Sequence, residues 1–123
     1  MFKKEFLDFL KAKKCDVRSK VWLEINGKPF MGEGRAAVLN AIDRYGSILK
    51  AAQETKVSYR RIRGAIREME HAIGYPLVNT KRGGKDGGGA VLTDLARDLL
   101  SRFEILQQGI NESVDKRFIE IFK

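Results

Sequence analysis

Apolar and polar positions divide the chain into stretches of different period. Phe2, Phe6, Phe9 and Leu10 recur at helical spacing among lysines and predict an amphipathic helix over residues 2–13. It would lie on the domain, on a partner chain or on a membrane surface. Val21, Leu23 and Ile25 alternate with Trp22 and Glu24, the period of a strand. Asn26-Gly27 follows, and both residues tolerate the positive φ of a two-residue hairpin turn. Lys28 to Met31 is the return strand, with Pro29 marking an edge. From Glu33 the period changes: Ala37, Val38, Ala41, Ile42 and Tyr45 form a helical stripe that Gly46 ends. Ser47 caps a short helix through Gln53, with Ile48, Ala51 and Ala52 inward. Ser58 caps a third helix to about Ile73, stopped by Gly74. Tyr75 to Thr80 is strand-like, residues 81–89 (KRGGKDGGG) read as a flexible loop, and Gly89 to Leu92 resumes a strand. Thr93, with Asp94 in the first turn, opens a long helix to about Ile121.

These elements predict a mainly α fold with small β-hairpins: a winged helix-turn-helix followed by a long C-terminal dimerisation helix. The expected organisation is a single domain over 1–123. Residues 1–31 form a helix and hairpin, 33–92 the winged helix-turn-helix and 93–122 the long helix. Leu95, Leu99, Phe103, Leu106, Ile110, Val114, Phe118 and Ile121 are spaced by three or four. A helix of about 29 residues is roughly 43 Å long, more than one small domain covers. Leu99, Phe103, Leu106, Ile110, Val114 and Phe118 are therefore the expected homodimer interface. The alternative is a helix broken near Gly109 and folded back. A two-fold dimer would set two recognition helices roughly 34 Å apart, one DNA turn.

The charge changes what these elements suggest. The net charge is +8, and residues 56–85 hold eight basic residues (Lys56, Arg60, Arg61, Arg63, Arg67, Lys81, Arg82, Lys85) against Glu68 and Glu70. A local basic excess is the footprint of a polyanion partner, here double-stranded DNA. The lone Cys15 excludes an internal disulfide and offers no zinc site, which fits a reducing compartment. The charged N-terminus shows no signal peptide and no stretch is apolar enough to span a membrane, so the expected location is cytoplasmic.

In the third helix Ile62, Ala65, Ile66, Met69 and Ile73 share the core face. At about 100° per residue, Arg60, Gly64, Arg67 and His71 then lie opposite, with Arg63 on the flank. Arg can fork onto guanine O6 and N7 or onto phosphate oxygens. Ser58 and Tyr59 open the helix, where free N–H groups and hydroxyls can hold a phosphate. The glycine-rich loop lacks the P-loop order, since Lys85 is followed by Asp86 and then a strand. It reads instead as a wing, with Lys81, Arg82 and Lys85 on phosphate or in the minor groove and Gly83, Gly84, Gly87 and Gly88 allowing close approach. His71 is the only histidine, and no catalytic constellation, metal site or cofactor motif stands out.

Residues 46–69, GSILKAAQETKVSYRRIRGAIREM, and 76–93, PLVNTKRGGKDGGGAVLT, closely resemble the N-terminal DNA-binding domain of the molybdate-responsive ModE-type transcription regulators, as does the lead-in at 23–43. The resemblance covers roughly residues 20–106 and extends, more distantly, to the LysR-type winged helix. It implies a dimeric winged helix on operator DNA. Ser58, Tyr59 and Arg60 match the start of the family's recognition helix. Gly83, Gly84, Lys85, Gly87, Gly88 and Gly89 match its wing. Members often carry an aromatic residue at the position of Arg63 and an acidic one at that of Gly64, so the operator does not transfer. Full-length members bind molybdate through separate C-terminal domains absent from these 123 residues. The expectation is a non-enzymatic, sequence-specific DNA-binding regulator with no assigned effector. The alternatives are an oxyanion sensor and a non-specific DNA-binding or dimer adaptor module.

Overall fold

The computed structural model describes residues 3–84 and 87–123, the side chains of 82–87 excepted. The element order is α1 (Lys4–Ala12), β1 (Leu23–Ile25), β2 (Lys28–Met31), α2 (Glu33–Tyr45), α3 (Ile48–Thr55), α4 (Tyr59–Ile73), β3 (Val78–Gly84), β4 (Gly87–Leu92) and α5 (Asp94–Phe122). The chain divides into two compact units. One comprises the residues up to Val21 with Ile105–Lys123, the other Trp22–Glu104; α5 contributes to both. Among the described residues no helix is long and apolar enough to cross a membrane.

In Trp22–Glu104 the local signals work as their chemistry requires. Asn26 and Gly27 take φ of 53° and 77°, and the turn they make pairs β1 with β2 antiparallel. Gly46 and Gly74 end α2 and α4 in the left-handed region, at φ 66° and 78°. The Oγ of Ser47 accepts from the Lys50 N–H at 3.2 Å, and that of Ser58 from the Arg61 N–H at 3.1 Å. The turn between α3 and α4 adds a feature that no glycine signals: Lys56 itself is left-handed, at φ 57°.

The core of this unit is built from β2, β4 and all four of its helices. Phe30 and Met31 come from β2, Leu39 and Ile42 from α2, and Ile48, Ala51 and Ala52 from α3. Ile62, Ile66 and Met69 come from α4, and Ala96, Leu100 and Phe103 from α5. Two stripes differ in phase from the expected ones. Ala36 and Leu39 are buried where Ala37 is exposed, and Ala96 and Leu100 are buried where Leu95 is exposed. Neighbouring elements decide which side of a helix is covered, and periodicity alone leaves that phase open by a residue. Phe103 is 1% exposed. It belongs to this unit's own core, and its place in the expected dimer interface is corrected accordingly.

The expected flexible loop over 81–89 is corrected for residues 81–84 and 87–89, residues 85 and 86 lying outside the described ones. β3 continues to Gly84 and β4 begins at Gly87, with Asn79 opposite Val91, Thr80 opposite Ala90 and Lys81 opposite Gly89. Glycine weakens a strand but keeps both ladder groups, so the main-chain hydrogen bonds still form. The base of this hairpin is held at several points. Thr93 donates its N–H to the Leu77 carbonyl at 2.9 Å and its hydroxyl to the Pro76 carbonyl at 2.9 Å, while its Oγ1 caps α5 by accepting from Ala96 at 3.2 Å. The Ala90 N–H donates to the Gly46 carbonyl at 2.9 Å. The Glu70 carboxylate, from α4, accepts from the Leu77 and Val78 N–H groups at 2.7 and 3.2 Å.

In the other unit, Ser19 donates to Asn111 at 2.7 Å, and Phe118 stacks with Phe122 at 5.2 Å. Among its described residues none is buried. α5 is continuous through Gly109, so the alternative of a break there does not hold.

Glu70→Ala should cost about 1–3 kcal/mol in urea unfolding, because it strands two part-buried donors. Glu68→Ala, removing a mostly exposed ion-pair partner of Arg35, should cost under about 1 kcal/mol. Equal losses would show that the Glu70 bonds do not hold the hairpin base.

Candidate nucleic-acid interface

The helix-turn-helix consists of α3, the Lys56-Val57-Ser58 turn and α4. The buried Ile62, Ile66 and Met69 fix the inner side of α4. Arg60, Arg67 and His71 are exposed on the opposite crest, with Gly64 between them. Around Gly64 an added Cβ would meet nothing within 4 Å. The crest backbone is thus open to an outside partner. Tyr59, 48% exposed, stands at the start of the helix beside the Ser58 cap.

Two grooves flank the crest. One, of about 530 Å³, lies between α2 and α4 and is lined by Gly34, Arg35, Arg61, Gly64 and Glu68, among others. The second, of about 240 Å³, lies between α4 and β3, where Arg63 and Arg67 face Glu70, Val78 and Thr80. α4 therefore carries Arg on its crest (Arg60, Arg67) and on both flanks (Arg61, Arg63).

Charge pairing separates these arginines from the others. Arg35 donates to the Phe30 carbonyl at 2.9 Å and pairs with Glu68. Arg97 pairs with Asp43, Arg102 with Asp98 and Arg117 with Glu120, at 3.2, 2.9 and 3.1 Å. Among the described residues no carboxylate pairs with Arg60, Arg61, Arg63 or Arg67. The two acids of α4 itself are already engaged: Glu68 with Arg35, Glu70 with backbone N–H groups. The sequence alone assigns no role to Arg35, and counts Glu68 and Glu70 only against the basic excess of residues 56–85. A polar residue whose partner is far away in the chain leaves no local signal.

On the wing, Lys81 is exposed and shares a strand face with Asn79, opposite Val91 and Gly89; Gly88 is exposed as well. Gly83, Gly84 and Gly87 lie in the ladder. The Arg82 side chain and Lys85 lie outside the described residues. Among the described residues no group of three or more His, Cys, Asp or Glu could hold a metal ion.

Known proteins are similar to this chain in fold or in sequence. The solved structure of a CbnR DNA-binding domain in complex with DNA superposes with a TM-score of 0.57, covering 73% of this chain and 98% of that one; at 20% identity the likeness is one of fold. The molybdenum-pterin-binding protein MopB of Rhodobacter capsulatus is 39% identical over 80 residues, which is 65% of this chain and 30% of that protein. The DNA-binding transcriptional dual regulator ModE of Escherichia coli K12 is 36% identical over 93 residues, 76% of this chain and 36% of that protein. The chain thus spans about a third of the length of these curated relatives. The family model described as bacterial regulatory helix-turn-helix protein, lysR family, matches residues 35–97, from α2 through the start of α5. The chain belongs to that family of bacterial regulatory helix-turn-helix proteins.

Proposed function

We propose that this chain is a DNA-binding transcription regulator that docks α4 in the major groove and lays the β3–β4 wing along the backbone or minor groove. The observation that carries this reading is the set of four guanidinium groups on α4 with no carboxylate partner among the described residues. An unneutralised arginine row costs self-repulsion unless an anion meets it, and the phosphate backbone is the polyanion that a helix of this width fits. Ser58 and Tyr59 would hold a phosphate at the start of α4, and Lys81 would hold another from the wing. The name of the Escherichia coli relative supports the same partner. No residue role here is catalytic.

The reading includes a two-fold homodimer. Leu106 is 42% exposed, and Ile110 and Ile121 on the same side of α5 are exposed as well. Leu99, Val114 and Phe118 are half-buried. A second copy covering this face would remove apolar surface from water at about 25 cal/mol per Å². It would also present two recognition helices to one duplex.

Three measurements test the reading. Gly64→Ala should raise stability by about 1 kcal/mol, because alanine favours helix and space is open. It should weaken duplex binding about tenfold, ~1.4 kcal/mol, by holding the crest off the bases. Unchanged binding would remove α4 from the groove. Lys81→Ala should weaken binding to all duplexes alike and reduce the salt slope by about 1; a changed sequence preference would argue against a phosphate-holding wing. Ile110→Asp should give a monomer by sedimentation equilibrium and lower affinity for a two-half-site duplex by about 100-fold or more. A dimer that survives the change would place the interface elsewhere.

A further inference from the structure

We infer that the half-site this helix reads is defined by guanines, contacted at O6 and N7 by Arg60 and Arg67. The inference rests on the DNA-binding reading above and adds the base chemistry of the target.

The argument comes from what α4 presents and what it withholds. Base edges are distinguished by side chains that donate or accept in pairs. Arg forks onto guanine, Asn or Gln forks onto adenine, and Asp or Glu accepts from cytosine N4. α4 contains no Asn or Gln. Its two acids are engaged: Glu68 pairs with Arg35, and Glu70 accepts from the Leu77 and Val78 N–H groups. The bidentate readers left on the crest are Arg60 and Arg67, both exposed and both without a carboxylate partner among the described residues.

Gly64 lies on the crest between them, and nothing in the chain occupies the space its Cβ would take. A helix with a bare centre and two long arms on either side can sink until both guanidinium groups reach base edges. Arg60 and Arg67 are two helical turns apart, about 10 Å along the axis. That matches about three base steps at 3.4 Å each. Arg61 and Arg63 sit off the crest: Arg61 lines the groove between α2 and α4, and the half-buried Arg63 lines the one between α4 and β3, which the exposed Arg67 also borders. They are placed for the two phosphate strands that border the major groove, where Arg adds affinity without sequence information.

The test selects duplexes from a random pool with the full chain at fixed salt, then replaces single guanines by 7-deazaguanine. That base keeps its pairing and the backbone charge but has no N7 acceptor. Enriched half-sites should carry two guanines about three steps apart, and 7-deazaguanine at either should weaken binding about 5- to 150-fold. Arg60→Ala and Arg67→Ala, which remove the donors that reach O6 and N7, should each abolish the preference at one of the two positions and leave it at the other. Enriched sequences without such guanines, or affinity indifferent to 7-deazaguanine, would overturn the guanine assignment while duplex binding stands. A chain that retains no duplex even at low salt would overturn the DNA-binding reading itself.

Discussion

The geometry of the interface depends on how the backbone of Leu77 is tied. Its side chain is fully buried, its N–H donates to the Glu70 carboxylate at the end of α4, and its carbonyl accepts from Thr93 at the start of α5. One residue thereby joins α4, the β3–β4 hairpin and the last helix of the unit. A wing held only by its own ladder could swing, since a two-stranded hairpin is marginal by itself. Here the strand that leaves α4 is clamped within a few residues of that helix, and the returning strand is clamped at Ala90 to the Gly46 carbonyl. The angle between helix and wing is thus set by hydrogen bonds to buried or part-buried backbone, which are expensive to leave unmade.

The same bonds shape the electrostatics. Glu68 and Glu70 stand among four arginines and would quench them if free to turn outward. Glu68 is drawn to Arg35, which Phe30 also holds, and Glu70 is drawn to the hairpin base. Such exposed ion pairs contribute little stability. Their effect is on where the negative charge sits. With both carboxylates held by these partners, neither forms an ion pair with an arginine of α4 among the described residues.

Much of this was readable in the chain because helix and turn chemistry is local. Ser47, Ser58, Thr93, Gly46, Gly74 and Asn26-Gly27 each do in the fold what their side chains or φ preferences dictate. The exposed arginine crest followed from the period of α4 alone. Two of the misreadings share one cause, which is that the deciding partner lies far away in sequence. Ala36 and Leu39 are buried because neighbouring elements cover that side of α2. Phe103 fills the domain core because α5 packs there before it leaves the unit. The strands extend to Gly84 and Gly87 because ladder pairing, which has no side-chain signature in glycine, continues past Lys81. Lys56 adopts a glycine-like conformation because the α3–α4 turn demands it.

The two units differ in a way that bears on the proposed dimer. Trp22–Glu104 has a closed core, whereas the unit containing α1 and the far part of α5 has no buried residue among those described. A nine-residue helix such as α1 is shorter than the roughly 12–15 residues at which an isolated helix becomes marginal in water. It therefore needs apolar burial to persist. The exposed isoleucines of α5 supply a surface of the right chemistry, and a second copy offers the same surface in return, as a two-fold interface requires. If that surface is closed only in the dimer, folding of this unit and dimerisation are one equilibrium and vary with protein concentration. DNA binding by two linked heads would then draw on the same equilibrium, because a duplex that holds both heads also holds the helices that join them.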